Sequence, residues 1–176
     1  MLKYGIIMAP PEGKQAGFYA QFVKALAAEI QLFDRDKELL IVNSMEEQEK
    51  TAGLCERYQF GAEPVLLLML PVSAETKPLW DDYGFQSRAG HRYLYHDACA
   101  LFRFHTFQPA AAAPEQAEAQ MDEHLLAALP DGNGRIYAVD SSFKALMEGI
   151  ARAYMCAIEW LEPQEVSSPG TGYPFK

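Results

Sequence analysis

Three of the four histidines, His91, His96 and His105, cluster between residues 91 and 105 around Asp97. Imidazole and carboxylate groups at close range can bind a transition metal or exchange a proton with a substrate. On an extended strand neighbouring side chains point to opposite faces, so His96 and Asp97 diverge while Asp97, Arg103 and His105 share a side. His105 lies eight residues from Asp97, too far for one small ion unless the chain folds back, so no metal site is expected. What remains is a catalytic alternative: Asp97 as acid, Arg103 as anion clamp and His105 as base of a small-molecule enzyme working in a cleft. Ser73, His91 and Asp97 supply the residue types of a nucleophilic triad, but no Gly-x-Ser-x-Gly elbow presents the serine. Gly132-Asn-Gly134 lacks the glycine spacing and following Lys of a phosphate loop and reads as a turn, and Gly5, Gly13 and Gly17 are too scattered for a dinucleotide fingerprint. Cys55, Cys99 and Cys156 are far apart and odd in number, which suits small buried apolar residues better than a disulfide framework or a zinc ribbon. No cofactor is expected.

A second constellation is aromatic. Trp80, Tyr83, Phe85, Tyr93, Tyr95, Phe102, Phe104 and Phe107 put eight large rings between residues 80 and 107, with Arg88, Arg92 and Arg103 among them. That exceeds what one sheet face hides, and rings with arginine are the composition of recognition surfaces. The expectation is a protein-binding or self-association surface over residues 78–107.

The elements that must position these residues follow from periodicity. Tyr4–Met8 reads as a first strand. Phe18, Phe22, Leu26, Ile30 and Phe33 make the apolar stripe of a helix, ended by Asp34-Arg-Asp-Lys-Glu38 as a solvated charge run. Leu39–Val42 is a buried strand, and a helix from Met45 to Tyr58 is capped by Ser44 and closed by Gly61. Val65–Leu70 is apolar without alternation, as for a strand covered on both faces. Residues 71–91 form an excursion with a helical turn near Glu75–Trp80, and Arg92–Phe107 is a long strand or two joined by a bulge. Pro109-Ala-Ala-Ala-Ala-Pro114 is a spacer. Met121, Leu125, Leu126 and Leu129 then mark a helix stopped by Pro130, and Arg135–Asp140 is a strand. Ser141 or Ser142 caps a last helix, or binds an anion there; its stripe runs from Phe143 through Leu146, Met147, Ile150, Tyr154 and Ile158 to Leu161, with Lys144, Glu148 and Arg152 on the outer side.

The stretch from Glu38 through Met69 resembles the thioredoxin fold, in which a helix closes on a tyrosine- and glycine-containing turn and a cis proline precedes an aliphatic strand. Tyr58, Gly61 and Pro64 fill those places, and the similarity spans residues 3–107. It implies a cis bond between Glu63 and Pro64, beside a first loop at Pro11, Glu12 and Lys14. Redox members carry Cys-x-x-Cys where that loop enters its helix, because the helix amino end activates a thiolate. Here the chain reads Glu12-Gly-Lys-Gln-Ala16, so the resemblance implies a scaffold without dithiol exchange whose loop surface binds a partner.

Composition bounds the function. The 176 residues carry 24 acidic against 15 basic side chains, a formal charge of −9, with 49% hydrophobic residues. Such a chain buries a core and repels phosphate backbones, so nucleic acid is not an expected partner. The apolar start is too short for a secretory signal and nothing approaches a membrane span, which makes the cytoplasm the expected compartment. The reading is thus an α/β protein with a thioredoxin-like βαβαβ core over 1–107, an Ala/Pro spacer at 108–116 and a helix-strand-helix extension at 117–161, together one domain of residues 1–161. A tail at 162–176 docks through Tyr173 and Phe175. The function expected first is that of a non-catalytic interaction protein, homodimerisation being open, with Pro11, Glu12, Lys14, Glu63, Pro64, Trp80, Tyr83, Phe85, Arg88 and Arg92 as its binding residues.

Overall fold

The structure, a computed structural model, describes residues 1–13, 16–132 and 134–162. The chain is mixed α/β, built on antiparallel sheets, in two compact units: residues 2–67 with 86–91, and residues 68–85 with 92 onward, the latter including Met1. Lys14 and the tail residues Tyr173 and Phe175 lie outside the described residues.

The first unit contains β1 (Leu2–Ala9), α1 (Ala16–Glu29), β2 (Asp34–Asp36), β3 (Leu39–Val42), α2 (Met45–Arg57) and most of β4 (Gly61–Met69). Its strands lie side by side in the order β2-β3-β1-β4. Phe22 and Leu26 of α1 and Leu54 and Cys55 of α2 pack with Ile6, Met8, Leu40, Val42 and Phe60, so the apolar stripes of both helices meet one sheet face. Ser44 caps α2 as its type predicts: its Oγ accepts the Glu47 N–H at 3.2 Å, while the Glu47 carboxylate accepts the Asn43 N–H at 2.9 Å. The helix ends on Tyr58, with Gln59 in the left-handed region at φ 60°, rather than on Gly61.

Two expectations are corrected in this unit. The expected thioredoxin-like βαβαβ core is interrupted: an extra strand, β2, follows α1, and β1 and β3 are antiparallel, with Tyr4 opposite Val42 and Ile7 opposite Leu39. The cause is the segment Asp34–Glu38, which is not a solvated run but strand β2 and a tight turn. Lys37 sits at φ 49°, and β3 pairs straight back onto β2, with Asp36 opposite Leu39. That added reversal turns a parallel crossover into an antiparallel one. Charges suit this strand because it ends the row, where charged side chains discourage further pairing. The second correction concerns Pro64. No cis peptide bond occurs among the described residues, and Pro64 lies inside β4 rather than in a tight turn that a cis bond would serve. The aliphatic run is nevertheless a strand, with Leu67 and Leu68 fully buried.

The second unit holds β5 (Glu75–Thr76), α3 (Trp80–Tyr83), the start of β6 (Gly84–Gln86), β7 (Arg92–Tyr95), β8 (Cys99–Phe104), α4 (Pro114–Met121), β9 (Leu125–Asp131), β10 (Gly134–Asp140), α5 (Lys144–Ala153) and β11 (Ile158–Leu161). A five-stranded antiparallel sheet has the order β11-β8-β10-β9-β5. Both of its faces are covered. Phe102, Tyr137 and Val139 pack with Ala117 and Met121 of α4 and Met147, Ile150 and Ala151 of α5, whereas Leu101, Ile136 and Ala138 pack with Leu68, Leu70, Trp80 and Leu94.

That double burial overturns two helix assignments. Leu125–Leu129 is a strand, not the continuation of a helix through Leu129, and α4 stops at Met121. A spacing of four, as in Met121, Leu125 and Leu129, suits one face of a strand as well as one face of a helix. The last helix ends at Ala153 instead of Leu161: Met155 adopts φ 55°, and Ile158–Leu161 returns as β11 against β8, Trp160 opposite Phe102. The expected helix-strand-helix extension is therefore a helix, a hairpin, a helix and a strand. Asp140, not Ser141 or Ser142, caps the turn before α5, accepting the Ser142 N–H at 2.7 Å. The expected turn near Glu75–Trp80 is β5 followed by α3, and Arg92–Phe104 is two strands joined by a 3-10 turn at His96–Ala98. No described helix is long and apolar enough to cross a membrane.

Candidate functional site

The clearest polar assembly is buried in the first unit. Asp34, at the start of β2, has a side chain only 4% exposed. Strand alternation turns it inward and leaves the flanking Arg35 outside. The partners come from residues 86–91, a turn closed by the Ser87 N–H to the His91 carbonyl and the Gly90 N–H to the Ser87 carbonyl, both 2.9 Å; Gly90 takes φ 89°, which glycine adopts without strain. Asp34 Oδ2 accepts the Ser87 hydroxyl at 2.6 Å and faces His91 Nδ1 at 2.8 Å, while Oδ1 accepts the Arg35 N–H at 2.7 Å. The His91 ring stacks on Phe33, centroids 5.2 Å apart, and the Lys3 ammonium stands 3.5 Å from the Phe33 centroid. Burial lowers the Lys3 pKa, opposed by the nearby Glu47 carboxylate.

Serine, histidine and aspartate are thus gathered, but not as a nucleophilic relay. A serine nucleophile must give its proton to the imidazole, whereas Ser87 donates directly into the carboxylate. The arrangement is a pin: one carboxylate oxygen holds both ends of the 87–91 turn against β2. Its outward consequence is electrostatic. With Asp34 and Ser87 turned in, Arg35 and Arg88 emerge beside each other and, with Lys37, line a cleft of about 320 Å³. Arg35 Nε donates to the Lys37 carbonyl at 3.0 Å, which fixes its stem. Among the described residues, neither the Lys37 ammonium nor the Arg88 guanidinium has a hydrogen-bond or ion-pair partner.

The other sequence candidates have different surroundings. Asp97 is 91% exposed on its side chain and bonded to His96 at 3.0 Å. Arg103 is engaged by Glu159 at 2.5 Å and Asp131 at 3.1 Å, and these bonds raise its pKa while Arg103 holds the Glu159 carboxyl below its ordinary range. His105 Nδ1 accepts the Phe107 N–H at 3.3 Å. No bond links these three. Among the described residues no group of three His, Cys, Asp or Glu side chains is placed to hold a metal ion. The cysteines are unpaired thiols, and burial pushes Cys99 up to about 12, far from a reactive thiolate.

The aromatic residues go largely inward, because two covered sheet faces hide more rings than one. Trp80, Tyr93 and Phe102 are buried, Phe85 stacks on Tyr93 with centroids 5.0 Å apart, and Tyr83 donates to Asp140. Phe107 is exposed, at 83%, and Tyr95 marginally so. Arg92 clasps its own unit, donating to the carbonyls of Pro71, Val72 and Ala74. Arg88 alone of the expected binding arginines lines the cleft. Pro11 accepts the Tyr19 hydroxyl at 3.2 Å through its carbonyl, Glu12 is exposed in the loop after β1, and Glu63 and Pro64 are exposed on β4. Asp34, Arg35, Lys37 and Ser87 were not singled out in the sequence. The available signal was the alternation of Asp34, Arg35 and Asp36, the period of a strand, set in a stretch whose charge density reads as a solvated loop. Comparisons with protein-family models, with curated proteins and with solved structures found no match.

Proposed function

We propose that this is a non-catalytic binding protein and that the cleft between Arg35, Lys37 and Arg88 receives an anionic group of a protein partner. The observation that carries this reading is the composition of the cleft: three cations and no carboxylate, imidazole, hydroxyl or thiol in its lining. In a chain of net charge −9 such a cluster is a local exception to the field, suited to orienting an acidic feature of a partner. The absence of a Cys-x-x-Cys pair at Glu12–Ala16 agrees with binding rather than dithiol exchange, and the reading does not depend on the thioredoxin likeness.

The test is fluorescence anisotropy with a labelled Glu-rich peptide at low and at physiological salt. The wild-type chain binds, binding weakens as salt rises, and the double substitution Arg35→Glu with Arg88→Glu abolishes it. Equal binding by wild type and double variant would overturn the assignment.

A further inference from the structure

We infer that the cleft selects a phosphorylated side chain of its protein partner over a carboxylate. The inference rests on the binding reading above and deepens it. A carboxylate offers two oxygens and one charge, which a single guanidinium fork satisfies. Here two forks, from separate segments, and an ammonium share one cleft. A phosphoryl group brings three acceptor oxygens and a charge of about −1.5 to −2 at neutral pH, enough to engage all three cations together.

The cleft is also organised before any ligand arrives. Arg35 is held at its Nε by the Lys37 carbonyl, and Arg88 is carried by a turn whose neighbouring Ser87 and His91 are fixed to buried Asp34. That scaffold spares part of the entropy cost of converging long cationic side chains on one anion. Asp36 and Glu38 flank the same turn and temper its field, so the affinity expected is modest and sensitive to salt.

The lining narrows the source of the phosphoryl group. Three cationic residues from two short segments line it, a footprint that one phosphoryl group on a side chain can engage at once. A nucleic acid presents a continuous row of phosphates, which a chain of pI near 4.9 repels beyond the cleft itself, and an anionic membrane meets the same opposition.

The experiment is calorimetric titration of the full chain with peptide libraries of randomised flanks and a fixed central phosphoserine, glutamate or serine, alongside an oligonucleotide and phosphatidylserine vesicles. The phosphoserine library is expected to bind about tenfold or more tightly than the glutamate one, with inorganic phosphate competing. Arg88→Ala, a surface change checked for folding by circular dichroism, removes that preference, and Arg88→Lys restores part of it. Equal binding of phosphoserine and glutamate libraries would overturn the phosphoryl selectivity and leave the anion-binding function standing. Failure of both peptides to bind would overturn both readings. Tighter binding of the oligonucleotide or the vesicles than of the phosphoserine peptides would overturn the protein partner.

Discussion

At Asp34 one buried carboxylate oxygen serves two partners, Ser87 and His91, and thereby fixes where Arg88 emerges. Removing the acceptor leaves the Ser87 hydroxyl without it in a site closed to water, which costs more than the bonds themselves contribute net. Asp34→Ala should therefore destabilise the protein by about 3 kcal/mol, and Ser87→Ala, which deletes a donor and leaves the carboxylate its other partners, by about 1 kcal/mol. Urea midpoints of the two variants check this; equal losses would refute the pin. The residues concerned could not be paired from the sequence, because Asp34 and Ser87 are 53 positions apart. His91 is visible in the sequence as a polar residue able to do chemistry, but its partner Asp34 lies 57 positions away, outside the cluster of histidines around it.

Among the elements, close approach of neighbouring backbones and side chains sets the tolerance. In α3 and the start of β6 a Cβ built on Gly84 would stand 2.1 Å from the Tyr93 carbonyl oxygen and 2.8 Å from Trp80 Nε1, with backbone unable to yield. On β1 a Cβ on Gly5 would meet Val65 Cγ2 at 2.7 Å and Leu39 Cδ1 at 2.9 Å, the far ends of side chains that can rotate. Gly84→Ala is expected to cost about 3 kcal/mol or to prevent folding, and Gly5→Ala about 1 kcal/mol, ranked by thermal melting of the two variants. Elements with one apolar face were legible: α1 and α2 follow their stripes, and Ser44 marks the start of α2. Elements covered on both faces were not. Leu125–Leu129 has no alternation to separate it from a buried helix, and Ile158 and Leu161 fall in phase with α5 although the chain has already turned at Met155.

For the whole molecule, the acid limb of stability follows from carboxylates bonded more strongly in the folded than in the unfolded chain. The Tyr83 hydroxyl, then the Ser142 amide and hydroxyl, hold Asp140 below its ordinary value, and Arg103 does the same for Glu159. A carboxyl so lowered contributes stability that is complete above its unfolded value, roughly pH 4, and is lost as the pH falls through its folded value. Urea midpoints followed downward from pH 5 should fall for wild type, and Tyr83→Phe with Glu159→Gln should flatten that fall; an unchanged slope would exclude these bonds as its source. Composition and periodicity determined that the chain is α/β, that it buries a substantial core and that its net charge opposes polyanions, because these depend on residue types and on spacing within one element. Tertiary structure decided the antiparallel direction of β3, the fate of the aromatic rings and the meeting of Arg35, Lys37 and Arg88. Each of those depends on which distant segments come together, and a buried bond such as that between Asp34 and Ser87 leaves no periodic trace along the chain.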